Sequence, residues 1–224
     1  QDAREKNKMV KLIRPLPTEL IAKSDFLVDE FYKNHGIKPA HLITNGVDIS
    51  IFSKKARQRD IDIMGAGSLS FMKQYDIFLE VVFELKKTKP GIKTVLVGDG
   101  EHAEGLKKMR EDLSLQDNVE LKGMLTPSET VQLMQRSKIF LHPSSYEGFS
   151  MAILEALYAG AHVVSFLKLM NNEIKNWHIV KTKKEMISKV KELLDEPTLD
   201  HEPVFTYSMD DSAASMANLF GLID

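Results

Sequence analysis

The chain of 224 residues has no cysteine, which excludes disulfide scaffolds and thiolate metal sites. Its seven histidines are scattered and show no paired ligand spacing. Tryptophan occurs once, and no apolar run approaches the ~20 residues that a membrane-spanning helix requires. Neither charge sign dominates: the formal net charge is -2 and the pI is near 6.4, so no broad nucleic-acid face is indicated. No solenoid-period repeat and no low-complexity tract is present. The opening residues, Gln1 to Lys8, are charged and do not resemble a signal peptide, and the chain reads as a fragment beginning inside a longer protein. What remains is ordinary globular material, 43% hydrophobic and 28% charged, enough for one large domain or a domain plus an appendage.

Pro15 and Pro17 punctuate a polar opening, so residues 1–18 read as a linker or the edge of a preceding domain. Residues 18–35 predict one or two short helices around Ser24-Asp25, and His41-Leu42-Ile43 a short strand. Residues 1–50 are accordingly assigned to a linker and the remnant of an N-terminal domain, and 51–224 to the main domain. From residue 61 apolar runs alternate with amphipathic segments. Strands are expected at Ile61–Met64, Lys93–Val97, Val119–Leu121, Ile139–Leu141 and Val163–Ser165. Helices are expected at 74–87, 103–113, from Thr126-Pro127, from Met151, and at 183–194. That order implies an α/β fold with a doubly wound parallel sheet. A terminal helix over 208–222 carries the stripe Ala213, Met216, Leu219 and Phe220, which needs a seat on residues 10–35 or on a missing domain.

In such a sheet ligands bind beyond the carboxyl ends of the strands. Three glycine turns fall there: Gly65-Ala66-Gly67-Ser68, Gly98-Asp99-Gly100 and Glu147-Gly148-Phe149-Ser150. Glycine lets backbone N–H groups approach phosphate oxygens, and Lys73 stands near enough to neutralise a diphosphate. Each turn alone reads as an ordinary loop. Residue 70 is Ser, so the first turn is not the dinucleotide fingerprint. Glu147 and Glu155 bracket the third turn and the helix start, and a carboxylate accepts two hydroxyl hydrogen bonds at once, as a polyhydroxylated ligand offers. Glu155 sits among Ile153, Leu154, Ala156 and Leu157, a poor setting for a solvated acid. His142 is expected to be a loop histidine with a backbone partner and no catalytic role. Trp177 and the methionines are expected to be packing.

The run Pro143-Ser144-Ser145-Tyr146-Glu147-Gly148-Phe149-Ser150-Met151-Ala152-Ile153-Leu154-Glu155-Ala156, with Gly160 beyond, resembles the signature of family 4 retaining glycosyltransferases of GT-B fold, in their C-terminal, Rossmann-like domain. Asn45-Gly46-Val47-Asp48 resembles that family's interdomain turn, Val97-Gly98-Asp99-Gly100 its second glycine loop, and Val119-Glu120-Leu121-Lys122-Gly123 its base-contacting segment. The resemblance covers roughly residues 20–195. It implies a hexosyltransferase of polysaccharide or glycolipid synthesis, cytoplasmic, that uses a nucleotide-diphosphate sugar and neither metal nor cofactor. Glu147 and Lys73 would then be catalytic. Gly67, Ser68, Gly98, Gly100, Gly123, Met124, Gly148, Phe149, Ser150, Met151 and Glu155 would bind the donor. The glycan or lipid acceptor, and any peripheral membrane contact, would belong to an absent N-terminal domain, without which the fragment should be inactive. No nucleic acid is implied as a partner. The alternatives are a non-catalytic nucleotide-sugar-binding module and an epimerase of the same fold. Two departures stand out. Ser68 occupies the place of the family's usual Arg, removing a phosphate contact worth about 1.5–3 kcal/mol. Leu167 to Glu173 replaces a usual glycine pair.

Overall fold

Runs of Val, Ile and Leu that are apolar on both faces can only be strands covered from two sides, and that is how they are used. The computed structural model describes residues 19–53 and 58–222, so the expected linker over residues 1–18 lies outside the described residues. β3 (Ile61–Ala66), β4 (Thr94–Val97), β5 (Val119–Gly123), β6 (Ser137–His142), β7 (His162–Ser165) and β8 (Trp177–Ile179) form one parallel sheet in the order β5-β4-β3-β6-β7-β8. Ahead of it, β1 (Ile21–Ala22) and β2 (His41–Leu42) pair in parallel around α1 (Asp25–His35). The remaining helices are α2 (Tyr75–Lys86), α3 (Ala103–Asp112), α4 (Pro127–Met134), α5 (Met151–Tyr158), α6 (Lys183–Asp195) and α7 (Met209–Leu219).

Alternation along each strand feeds two cores. Ile63, Leu96, Ile139, Leu141 and Val164 face α2, α3 and α6, where Phe78, Val82, Leu106 and Val190 meet them. Met64, Val95, Phe140 and Val163 face α4 and α5, where Val131, Met134, Ile153 and Leu157 close the other side. Phe78 is fully buried, and truncating it to Ala would cost about 3–5 kcal/mol. Local signals agree with the packing. Ser24 caps α1 by accepting from the Leu27 N–H. Thr126 and Glu129 form a reciprocal capping box with Pro127 in the first turn of α4.

Each strand and helix expected between residues 61 and 195 is present, with ends shifted by a residue or a few. Two strands had no counterpart in the sequence reading. β1 has two residues and β8 three, one of them His178, and neither length carries a period. Trp177 does pack, and its Nε1 donates to Ser165 Oγ at 2.8 Å. Among the described residues the terminal stripe is only partly covered: none of α7 is fully buried, Met216 and Leu219 are half-buried, and Ala213 and Phe220 are exposed. Not all the methionines are filler either, since Met72, Met124 and Met209 are exposed.

Residues 19–50 are fastened to the main sheet. Ser24 Oγ donates to the Gly148 carbonyl at 2.6 Å, Phe26 N–H to the Leu169 carbonyl at 3.2 Å, and Asn171 N–H to Asp25 at 2.8 Å. Val47 N–H donates to the Tyr207 carbonyl at 3.0 Å, and Val47 bridges to Ser208. Beside that bridge a side chain at Gly46 would overlap the Ser208–Met209 backbone.

Candidate functional site

All six strands run the same way, so their carboxyl ends share one rim. β3 and β6 are neighbours in the sheet, while the chain leaves β3 toward β4 and leaves β6 toward β7. The crevice at such a divergence is where open α/β sheets bind ligands. Lys73 comes from the short 3-10 turn Phe71–Lys73 after β3, and Glu147 from the loop after β6, so the two side chains meet across this crevice.

The first two glycine turns and β5 are knitted together. Gly67 N–H donates to the Val97 carbonyl at 3.0 Å, Leu69 N–H to the Asp99 carbonyl at 2.9 Å, and Gly98 N–H to the Gly123 carbonyl at 2.9 Å. Gly98 has φ +139°, and a Cβ there would overlap the Gly67 carbonyl oxygen, so only glycine permits this contact. Gly100, at φ +157°, lies on the Leu69 backbone, 2.8 Å from its carbonyl oxygen to the place of a Cβ. The third turn joins through β6: Ser145 N–H donates to the Met72 carbonyl at 2.9 Å, tying it to the turn that carries Lys73.

At the crevice, Lys73 Nζ and His142 Nε2 converge on one oxygen, Oε1 of Glu147, with the histidine at 3.1 Å. The side chains of Lys73 and Glu147 are only 20% and 12% exposed. Burial acts to raise the Glu147 carboxyl, but the hydrogen bonds from His142 and Lys73 and the charge of Lys73 outweigh it and hold the group below its ordinary range. His142 corrects the sequence reading. It ends β6 rather than lying in a loop, it is 1% exposed, and its partner is the Glu147 carboxylate rather than a backbone group. Burial pushes its imidazole below the ordinary histidine value. Its Nδ1 has no hydrogen-bond partner among the described residues.

Next to this cluster lies an open hollow of about 450 Å3, with Gly67, Ser68, Gly98 and Asp99 on one side and Met151, Ala152 and Glu155 of α5 on the other. Met124, Leu125, Pro127, Thr130 and Met134 form an apolar end. Glu155 has no hydrogen-bonding or ionic partner among the described residues, and burial raises its carboxyl above the ordinary value. A half-buried, unpaired carboxylate facing a cavity is set to receive hydroxyl donors. Ser150 occupies the N-cap of α5 without a side-chain capping bond, which leaves the first-turn amides free of it.

Of the expected site residues, Gly67, Ser68, Gly98, Met124, Met151 and Glu155 line the hollow itself. Lys73 and Glu147 form the adjoining ion pair, and the Lys73 stem passes 3.9 Å from the place a Gly67 side chain would take. Gly100, Gly123, Gly148, Phe149 and Ser150 shape the loops without lining it, and Phe149 packs against the α4–α5 core. The sequence reading named His142 but not its contact with Glu147, and it did not single out Asp99, which lines the hollow, although it quoted the turn holding it. A hollow of about 600 Å3 between α2, α3 and α6 contains none of the expected residues. Among the described residues no three His, Cys, Asp or Glu are grouped to hold a metal ion, and no helix is long and apolar enough to cross a membrane.

Comparison with known proteins bears on the fold and the family. Over 135 residues the chain is 35% identical to a phosphatidylinositol N-acetylglucosaminyltransferase subunit of Arabidopsis thaliana, a match spanning 58% of this chain and 30% of that protein. Over 103 residues it is 28% identical to alpha-monoglucosyldiacylglycerol synthase of Streptococcus pneumoniae, spanning 46% of this chain and 23% of that one. The chain thus spans about a third or less of the length of these relatives. In fold it resembles S. aureus TarM, solved with fondaparinux, alpha-GlcNAc-glycerol and UDP, at TM-score 0.77 and 22% identity over 89% of this chain and 43% of that one. It also resembles Anabaena HepE, solved with UDP and glucose, at TM-score 0.77 and 17% identity over 96% of this chain and 66% of that one. The model of the family "Glycosyl transferases group 1" matches residues 47–204, and the chain belongs to that family.

Proposed function

We propose that this chain is the donor-binding half of a retaining hexosyltransferase that moves a sugar from a nucleoside diphosphate to a glycan or lipid-linked acceptor. The observation that carries the reading is the unpaired, half-buried Glu155 in a glycine-walled hollow beside the Lys73–Glu147 pair. Glu155 accepts the ribose hydroxyls, and Met124, Leu125, Pro127 and Met134 take the base. The diphosphate lies over Gly67, Gly98 and the amides at the start of α5, where Lys73 neutralises the charge that grows on the leaving group. Glu147 holds the transferred sugar by its hydroxyls, with the backbone of Gly148, Phe149 and Ser150 around it. Retention follows the family resemblance. A UDP-bound relative in fold and the lipid words in the curated relatives' names support the donor and acceptor classes. The exposed rim residues Phe71, Met72 and Met124 are what a second, acceptor-binding domain would cover, and a cytoplasmic site of action fits donors of this class.

The reading is tested by titrating the chain calorimetrically with uridine, guanosine and adenosine diphosphate sugars. Saturable binding with a preference for one base is expected, and no binding of any of the three would refute it. Ser68 favours a second reading, a module that binds donor without turning it over, because one phosphate cation is missing. Donor hydrolysis or transfer by the longer protein separates the two.

A further inference from the structure

His142 has no part in that scheme, yet it is buried at the crevice and its ring touches the Glu147 carboxylate. An ionised carboxylate only accepts, so the contact of 3.1 Å to Glu147 requires a proton on His142 Nε2. The other nitrogen, Nδ1, is buried without a partner among the described residues. A bare acceptor nitrogen there forgoes one weak bond, whereas a protonated one would strand a charged donor away from water. The geometry therefore selects the neutral Nε2–H tautomer. The charged groups bearing on the ring are Glu147, which favours its protonation, and Lys73, which opposes it. The Phe140 ring lies parallel, 6.2 Å between centroids, and β7 flanks it with Ser165, so the imidazole is held in place.

Lys73 and His142 share Oε1, and no bond from the described residues reaches Glu147 Oε2. A diphosphate entering beside Gly67 competes with Glu147 for Lys73, the flexible member of the trio. We propose that His142 is a positioning residue that keeps the Glu147 carboxylate aimed at the sugar after Lys73 has moved to the diphosphate. This rests on the donor-binding reading. It makes the pair a relay of contacts: Lys73 holds Glu147 in the empty site, and His142 holds it in the filled one. No proton changes owner, because the histidine is already the neutral donor.

Two measurements test this. In nitrogen-15 spectra of labelled chain, with His142→Gln for assignment, the ring should be the uncharged Nε2–H form at neutral pH and should stay uncharged where an ordinary histidine begins to protonate. An imidazolium or an Nδ1–H form at neutral pH overturns the proposal, whatever the variants do. In calorimetry UDP and UDP-glucose are compared, or the guanosine or adenosine equivalents if the panel selects that base. His142→Phe keeps a ring beside Phe140 but loses the donor, so the affinity gained from the sugar should fall by about tenfold while that of the bare nucleotide stays. His142→Gln, which restores an amide donor, should recover most of it. Equal losses for both probes, or no loss, overturn the proposal and leave the donor reading standing. If the wild-type chain binds neither probe, the donor reading fails and the proposal falls with it.

Discussion

Replacing Glu155 by Gln should stabilise the empty chain and weaken it toward ligand in the same stroke. The carboxylate is half-buried and has no partner among the described residues, so the substitution breaks no bond within the fold. Its folded-state carboxyl is raised by burial, so the charged form is less welcome in the folded chain than in the unfolded one. The group thus costs stability above its folded pKa, and the cost fades as pH falls and the folded chain takes up the proton. Gln carries no charge at any pH. The variant should therefore melt higher than wild type near neutral pH, by about 2–4 °C for each kcal/mol relieved, and the two curves should merge below the carboxylate range. Binding moves the other way. A hydrogen bond to a charged acceptor is worth about 1.5–3 kcal/mol, so the nucleotide should bind about ten- to a hundredfold more weakly. Scanning calorimetry across pH and titration calorimetry at neutral pH measure the two halves. A variant that melts lower and binds nucleotide normally would show that Glu155 is a structural residue, and the site argument would fail.

Ser68 is exposed on the hollow's wall, so Ser68→Arg has room to supply a second phosphate cation; UDP binding should tighten by roughly tenfold or more, and unchanged affinity in titration would place the diphosphate elsewhere. Gly98→Ala forces a Cβ into the Gly67 carbonyl at φ +139°, and a loss of about 2 kcal/mol or more in denaturant melts is expected together with loss of nucleotide binding. His178 is lowered to about 4 by burial first and then by its neighbours His162 and Lys189, with His162 Nδ1 3.1 Å away. Its folded value lies below the unfolded 6.5, so stability is complete above 6.5 and drains as pH falls toward 4; His178→Gln should flatten part of that decline in melting temperature, and an identical decline would refute the assignment.

The sheet was legible because its signals are local and redundant. Phe78, Val81, Val82 and Leu85 repeat with the helical period, and Thr126-Pro127 with Glu129 announces a helix start. β8 was not legible, since three residues on a sheet edge bury too little to leave a pattern. The glycine turns could be read as converging because parallel strands oblige their carboxyl ends to share a rim. His142 could not be read. Its meaning comes from Lys73, 69 positions earlier in numbering (142 − 73), and from burial created by β6 and β7 together. The stripe of α7 was legible but its cover was not: a stripe in sequence states a capacity to be covered, and here the described residues leave it largely open.

Gly46 makes one rivet of two strands of traffic. The chain enters the main fold past this residue and departs past Ser208 and Met209, and the entering and departing backbones touch there with no side chain between them. The two segments are thereby coupled at that point, beside the separate bonds that tie the entering one to Gly148, Leu169 and Asn171 and the departing one to Leu157. A methyl group set into the joint would force the two backbones apart there.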